Sequence, residues 1–155
     1  MNKVILLSVF VALGIIAEAQ DAKNGSSTEG VTKQRGMVFF QGTWAELLKE
    51  SKKTGKPIFI DAYAAWCGPC RMMAANTFPD EEVGEFYNQH FINYKLDMEK
   101  GEGTAMKMKY RVTHYPTYLF VDSQGNLKYR KVGYMVPDVF ILEGKKATES
   151  FKASN

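Results

Sequence analysis

Ile58-Phe59-Ile60-Asp61-Ala62-Tyr63-Ala64-Ala65-Trp66-Cys67-Gly68-Pro69-Cys70 is the stretch on which the reading of this chain turns. Its first half is a compact apolar run of strand length, as a strand covered on both faces would be. Its second half places two cysteines three positions apart, with Gly-Pro between them, where the strand hands over to a helix expected from Gly68 to about Asn76. A helix N-terminus carries roughly half a positive charge and unpaired N–H groups, so it favours an anion. Thiolate is the nucleophilic form of cysteine, and such a site lowers its pKa from ~8.5 toward ~7. Cys67 is therefore expected to lie exposed at the helix tip as the attacking sulfur. Cys70, one turn further in, is expected to be buried and able to bridge to it. Trp66 is expected to shield the pair and to offer a flat apolar contact for substrates.

The rest of the composition narrows the function classes. The chain has 155 residues, 45% of them apolar and 13% aromatic, enough for one domain with a hydrophobic core. A net charge of +3, with no dense basic run, gives no reason to expect nucleic acid as a partner. The two cysteines are the only ones. So short a loop does little to restrict the unfolded chain, so a structural staple explains them poorly and redox chemistry explains them well. Zinc would need two more ligands. His90 and His114, 24 positions apart, lack the spacing of a finger, and no metal is expected.

Lys3, the apolar run Val4–Ala17 and the small residues Ala17 and Ala19 follow the order of a secretory signal. The run is about 14 residues, short of the roughly 20 that span a bilayer. Residues 1–19 are thus expected to be a signal peptide cleaved before Gln20, with an uncleaved membrane anchor as the alternative. Residues 20–36, rich in Gly, Ser, Thr and Lys, are expected to be a flexible linker, and 37–155 the folded domain.

Within that domain the expected order is a short strand at Met37–Phe40 and a helix opened by the capping box Thr43…Glu46 and closed by Gly55, burying Trp44, Leu47 and Leu48. After the cysteine segment come a helix capped by Asp80 and a strand at Phe91–Leu96. A short helix at Thr104–Arg111 follows, with Ala105, Met106, Met108 and Tyr110 as its apolar positions. A hairpin joins Thr117–Val121 to Leu127–Val132 across the turn Asp122–Asn126. A last helix begins at Pro137, with Val139, Phe140, Ile141 and Leu142 as core contacts, and Gly144 is expected to break it early. This is an α/β fold with a central mixed sheet flanked by helices.

The quoted segment resembles the thioredoxin active site almost position by position. The likeness extends over roughly Met37–Leu142. Thr77-Phe78-Pro79-Asp80-Glu81-Glu82-Val83 departs from plain thioredoxin and is more similar to the periplasmic thioredoxin-like domain of the DsbD transmembrane reductase and its relatives. The resemblance implies a thioredoxin fold and several roles. Asp61, six before Cys67, matches the family's buried acid that assists deprotonation of the second cysteine. Burial in an apolar strand should independently raise its pKa. Tyr115-Pro116-Thr117 matches the cis-proline loop that faces the disulfide, and Val132-Gly133 the small residue beside the substrate groove; Trp66, Gly68 and Pro69 complete that binding surface. The family also places a lysine near the buried acid. Aligned on Asp97, Lys95 falls two positions away and is not assigned the role.

The expected function is an exported, periplasmic thiol–disulfide oxidoreductase that acts as a monomer. It needs no cofactor beyond its own Cys67–Cys70 disulfide. The Gly-Pro dipeptide resembles thioredoxin, at ~−270 mV, rather than an oxidase near ~−120 mV. A protein-disulfide reductase is therefore expected, recharged by a DsbD-like transmembrane electron donor. A disulfide isomerase or oxidase of secreted proteins would use the same residues at a more oxidising potential. A non-catalytic binding module on the same fold would leave both cysteines dispensable.

Overall fold

The computed structural model describes residues 35–153; the expected signal peptide, residues 1–19, and nearly all of the expected linker, residues 20–36, lie outside the described residues. Helix α1 (Trp44–Thr54) leads into strand β1 (Ile58–Tyr63), followed by α2 (Gly68–Met72), α3 (Glu81–His90), β2 (Ile92–Asp97), α4 (Glu102–Lys109), β3 (Thr117–Val121), β4 (Leu127–Val132) and α5 (Pro137–Lys152). The strands form one mixed sheet in the order β2-β1-β3-β4. β1 runs parallel to β2 and antiparallel to β3, so the strand leading to the cysteines is central and fully paired.

Alternation along β1 divides the core. Ile58, Ile60 and Ala62 join Leu47 of α1 and Met106 of α4 on one face. Phe59 turns to the other, where its ring meets those of Tyr87, Tyr118, Phe120 and Phe140 at centroid distances of 5.0–5.8 Å. Full burial of one such ring contributes about 1.5–3 kcal/mol. Asp61 shares this second face, two residues on from Phe59 and directly opposite Tyr118 of β3.

The helix caps follow the sequence. Thr43 Oγ1 accepts from the Glu46 N–H while Glu46 answers at the Thr43 N–H, and Gly55 ends α1 in the left-handed conformation with φ +72°. Asp80 caps α3 by accepting from the Val83 N–H at 3.0 Å.

Several expectations are corrected. Met37–Phe40 forms no strand. A single bridge joins Phe39 to Asn93, and the Asn93 side chain takes the next ladder position by donating to the Val38 carbonyl at 3.1 Å. Leu47 is the one of its trio that α1 buries fully, with Trp44 and Leu48 half-buried. The helix after the cysteines is α-helical only to Met72. From Met73 to Thr77 it widens to a π turn, in which the Phe78 N–H reaches back five residues to the Met73 carbonyl. In α4, Ala105 and Met108 face solvent.

Gly144 does not stop α5. A Cβ there would stand 2.5 Å from the Phe86 ring and 3.0 Å from the Tyr87 hydroxyl, so its missing side chain is what lets α5 lie against α3. Four consecutive apolar residues cannot share one helical face at 100° per residue. Phe140 is buried, Ile141 partly so, and Val139 and Leu142 are exposed.

Candidate active site

Cys67 is the N-cap of α2, and its extended backbone (φ −69°, ψ 111°) aims the sulfur across the first helical turn. The sulfur accepts the Cys70 N–H at 3.1 Å. Pro69, in the first turn, lacks the N–H that would otherwise go unpaired there, and its fixed φ suits a helix start. Cys67 and Cys70 are joined by a disulfide, with the Cα atoms 5.3 Å apart.

The expectation of an exposed attacking sulfur is corrected. Cys67 is only 1% exposed and Cys70 is buried beside it with Ala64. The cover comes from Tyr63 at the end of β1 and from Tyr115, both packed against the cysteine pair. Trp66 is 67% exposed. It stands edge-on to Tyr115 with ring centroids 5.8 Å apart.

The Tyr115–Pro116 peptide bond is cis. Pro116 is buried, and its carbonyl accepts the N–H of Gly133 at 2.9 Å, which ties the proline loop to the far end of β4. Gly133 holds φ +101°, a conformation that disfavours any side chain, although a Cβ there would meet nothing within 4 Å. Glycine is thus required for its backbone rather than for space. His114, next along the loop, is exposed and bonded to the Thr113 hydroxyl through Nδ1 at 2.9 Å.

Asp61 is 1% exposed, and neither carboxylate oxygen receives a hydrogen bond. Burial raises its pKa from 3.8 to about 6, and the nearby Lys95 ammonium opposes that rise. A proton acceptor poised near neutrality is what the expected role requires.

Lys95 is the residue the sequence comparison set aside. Its Nζ lies 3.5 Å from Asp61 Oδ2, and the strand register explains why: β1 and β2 pair in parallel with Asp61 directly beside Lys95. The ammonium is enclosed by the rings of Tyr63, Phe78 and Phe39, at 4.8, 5.5 and 6.0 Å from their centroids. Phe78 belongs to the segment that departs from plain thioredoxin. The parallel register of the two strands, rather than the spacing to Asp97, is the signal that points to Lys95.

A family model described as "Thioredoxin-like domain" matches residues 44–148, the span that builds this site. The chain belongs to the thioredoxin-like family. It is a thiol–disulfide oxidoreductase by that membership, with the redox pair at Cys67 and Cys70. Among solved structures, a provisionally named disulphide-isomerase from Bacteroides thetaiotaomicron is 39% identical. It superposes with a TM-score of 0.68, over 75% of this chain and 96% of that one. The oxidised C-terminal domain of DsbD from Neisseria meningitidis is 26% identical, TM-score 0.59, over 71% of this chain and 99% of the domain. The thiol:disulfide interchange protein DsbD of Yersinia pestis is 36% identical over 73 residues, 46% of this chain. That stretch spans only 12% of the DsbD protein.

Proposed function

We propose that this thioredoxin-like protein reduces the disulfides of other proteins outside the cytoplasm by dithiol–disulfide exchange. The observation that carries the proposal is the cysteine pair at the start of α2, reached from the strand that carries a buried carboxyl whose pKa lies near 6. In the reduced protein the Cys70 N–H and the helix terminus favour a thiolate on Cys67. That thiolate attacks a substrate disulfide, forming a Cys67–substrate bond and expelling one substrate thiolate. Cys70 loses its proton to Asp61 through a water and attacks the Cys67 sulfur, releasing the second substrate thiolate. Two electrons pass to the substrate, and the protein is left with the Cys67–Cys70 disulfide.

Trp66, Gly68, Pro69, Tyr115, Pro116 and Gly133 frame the surface on which a substrate strand docks. The exchange uses no cofactor. An exported reductase must be recharged from across the membrane, and the likeness to DsbD supports a donor of that type. The amino-terminal signal pattern supports export to a periplasm, and the protein acts as a monomer. Reduction of insulin separates this reading from a binding module. The wild type should turn over with thiol present, whereas Cys67→Ser should show no cysteine-dependent activity.

The name of the Bacteroides relative favours a second reading, disulfide isomerisation. A reductase should have a potential near that of thioredoxin, and a value above about −150 mV would argue for an oxidising enzyme. Recovery of activity by scrambled ribonuclease without net reduction would support the isomerase.

A further inference from the structure

The cover over Cys67 is held by residues to which no role has so far been given. Trp66 Nε1 donates to Glu99 Oε2 at 2.8 Å. Glu99 Oε1 lies 3.6 Å from Lys107 Nζ, and the same ammonium sits 5.4 Å from the centroid of the Tyr115 ring. The Tyr115 ring meets Trp66 edge-on, which closes a ring of four side chains. Two of the four flank the reacting elements directly, Trp66 preceding Cys67 and Tyr115 preceding the cis proline. The other two come from outside the site, Glu99 after β2 and Lys107 from α4.

This arrangement has an unbalanced feature. The Tyr115 hydroxyl is buried and lacks a hydrogen bond of ordinary geometry, its one polar neighbour being the Lys107 ammonium, which that contact helps keep protonated. Tyr115 packs against the cysteine cluster with the Lys107 ammonium as its polar neighbour. Its position depends on ring packing and on the Lys107 ammonium, which Glu99 anchors. In the disulfide form Cys67 is only 1% exposed, so a reaction partner reaches its sulfur only when the cover moves.

From this geometry we infer that Glu99 and Lys107 are positioning residues forming a latch, which sets how often Tyr115 uncovers Cys67 and so limits access to its sulfur. The inference rests on Cys67 being the attacking sulfur. It deepens the proposed function by giving the site a gate that larger or poorly fitting disulfides must open.

Charge alone and the latch predict different patterns. Lys107→Met removes a cation near the Cys67 thiolate and should raise its pKa. Glu99→Gln removes an anion and should lower it. If only charge matters, the two substitutions act in opposite directions. If the latch matters, both free the cover. The measurement is the rate at which neutral iodoacetamide alkylates Cys67 in the reduced protein, followed by mass spectrometry across pH, with the plateau above the thiol's titration as the readout. At the plateau the thiolate fraction is saturated and accessibility remains. Each variant should raise the plateau about two- to fivefold, the scale of partly exposed ion pairs and cation–π contacts. The double variant should exceed neither single one by much, and Lys107→Arg should keep the wild-type rate. Unchanged plateaus, or plateaus that move in opposite directions, overturn the latch. Because alkylation requires no protein substrate, that failure is distinguishable from a failure to reduce insulin.

Discussion

Asp61→Asn should make the oxidised protein more stable at neutral pH, by an amount that disappears in acid. The folded protein holds the Asp61 proton with a pKa of about 6 against 3.8 in the unfolded chain. Between those values the folded state binds more protons than the unfolded one, so stability falls as pH rises through the interval. Above about pH 6 the loss is complete, and below about 3.8 it is absent. A rise of that size corresponds to about 3 kcal/mol at 1.36 kcal/mol per unit. Asparagine never ionises, so the substituted protein escapes the loss. Lys95 loses its carboxylate partner in the exchange. It is left against three aromatic rings at 31% side-chain exposure, so that figure is an upper bound on the gain. Urea denaturation of the oxidised wild type and variant at pH 7.5, 6, 5 and 4 is the assay. The variant should lead by up to about 3 kcal/mol at pH 7.5, and the two should converge by pH 4. A difference that stays constant across this range would refute the assignment of the buried charge to Asp61, as would a variant less stable at pH 7.5.

Lys95→Met removes the one cation opposing that rise, so the acid-side transition in wild-type stability should move to higher pH in the same titration. Gly84→Ala should destabilise the fold by about 2 kcal/mol or more in thermal unfolding, because its Cβ would stand 2.3 Å from the Gly36 carbonyl carbon, a backbone atom that would have to shift. Cys70→Ser should accumulate a covalent Cys67–substrate disulfide when mixed with an oxidised protein substrate, visible as a mass adduct that dithiothreitol removes. Absence of the adduct would assign the first attack to another sulfur.

Much of the fold could be read from local chemistry. Thr43 with Glu46, Asp80 with Val83 and the Asp122–Asn126 turn each act within a few residues, and each forms as the sequence implies. The errors occur where distant packing overrides a local signal. Gly144 carries the mark of a helix end, but its neighbours Phe86 and Tyr87 are nearly sixty residues away, and their rings occupy the space a side chain would need. Met37–Phe40 has strand composition. With Asn93 spending its amide on the Val38 carbonyl, only one backbone bridge forms there.

The active site divides in the same way. Cys67, Cys70, Pro69 and Trp66 are contiguous, so the physics of a helix start brings them to attention directly. Lys95 becomes legible only once the register of two parallel strands is known, because its link to Asp61 spans 34 positions and involves no motif. Glu99 and Lys107 lie further out of reach. A carboxylate in a turn and a lysine on a short helix look like ordinary solvated charges, and each does remain more than a third exposed. They acquire meaning through the two aromatic rings they touch, one of which, Tyr115, packs against a cysteine that the sequence suggested would be open. The redox motif identifies which atoms exchange electrons. Which disulfides reach those atoms is governed by side chains that the motif does not include, and the accessible surface of Cys67 is the quantity that connects the two.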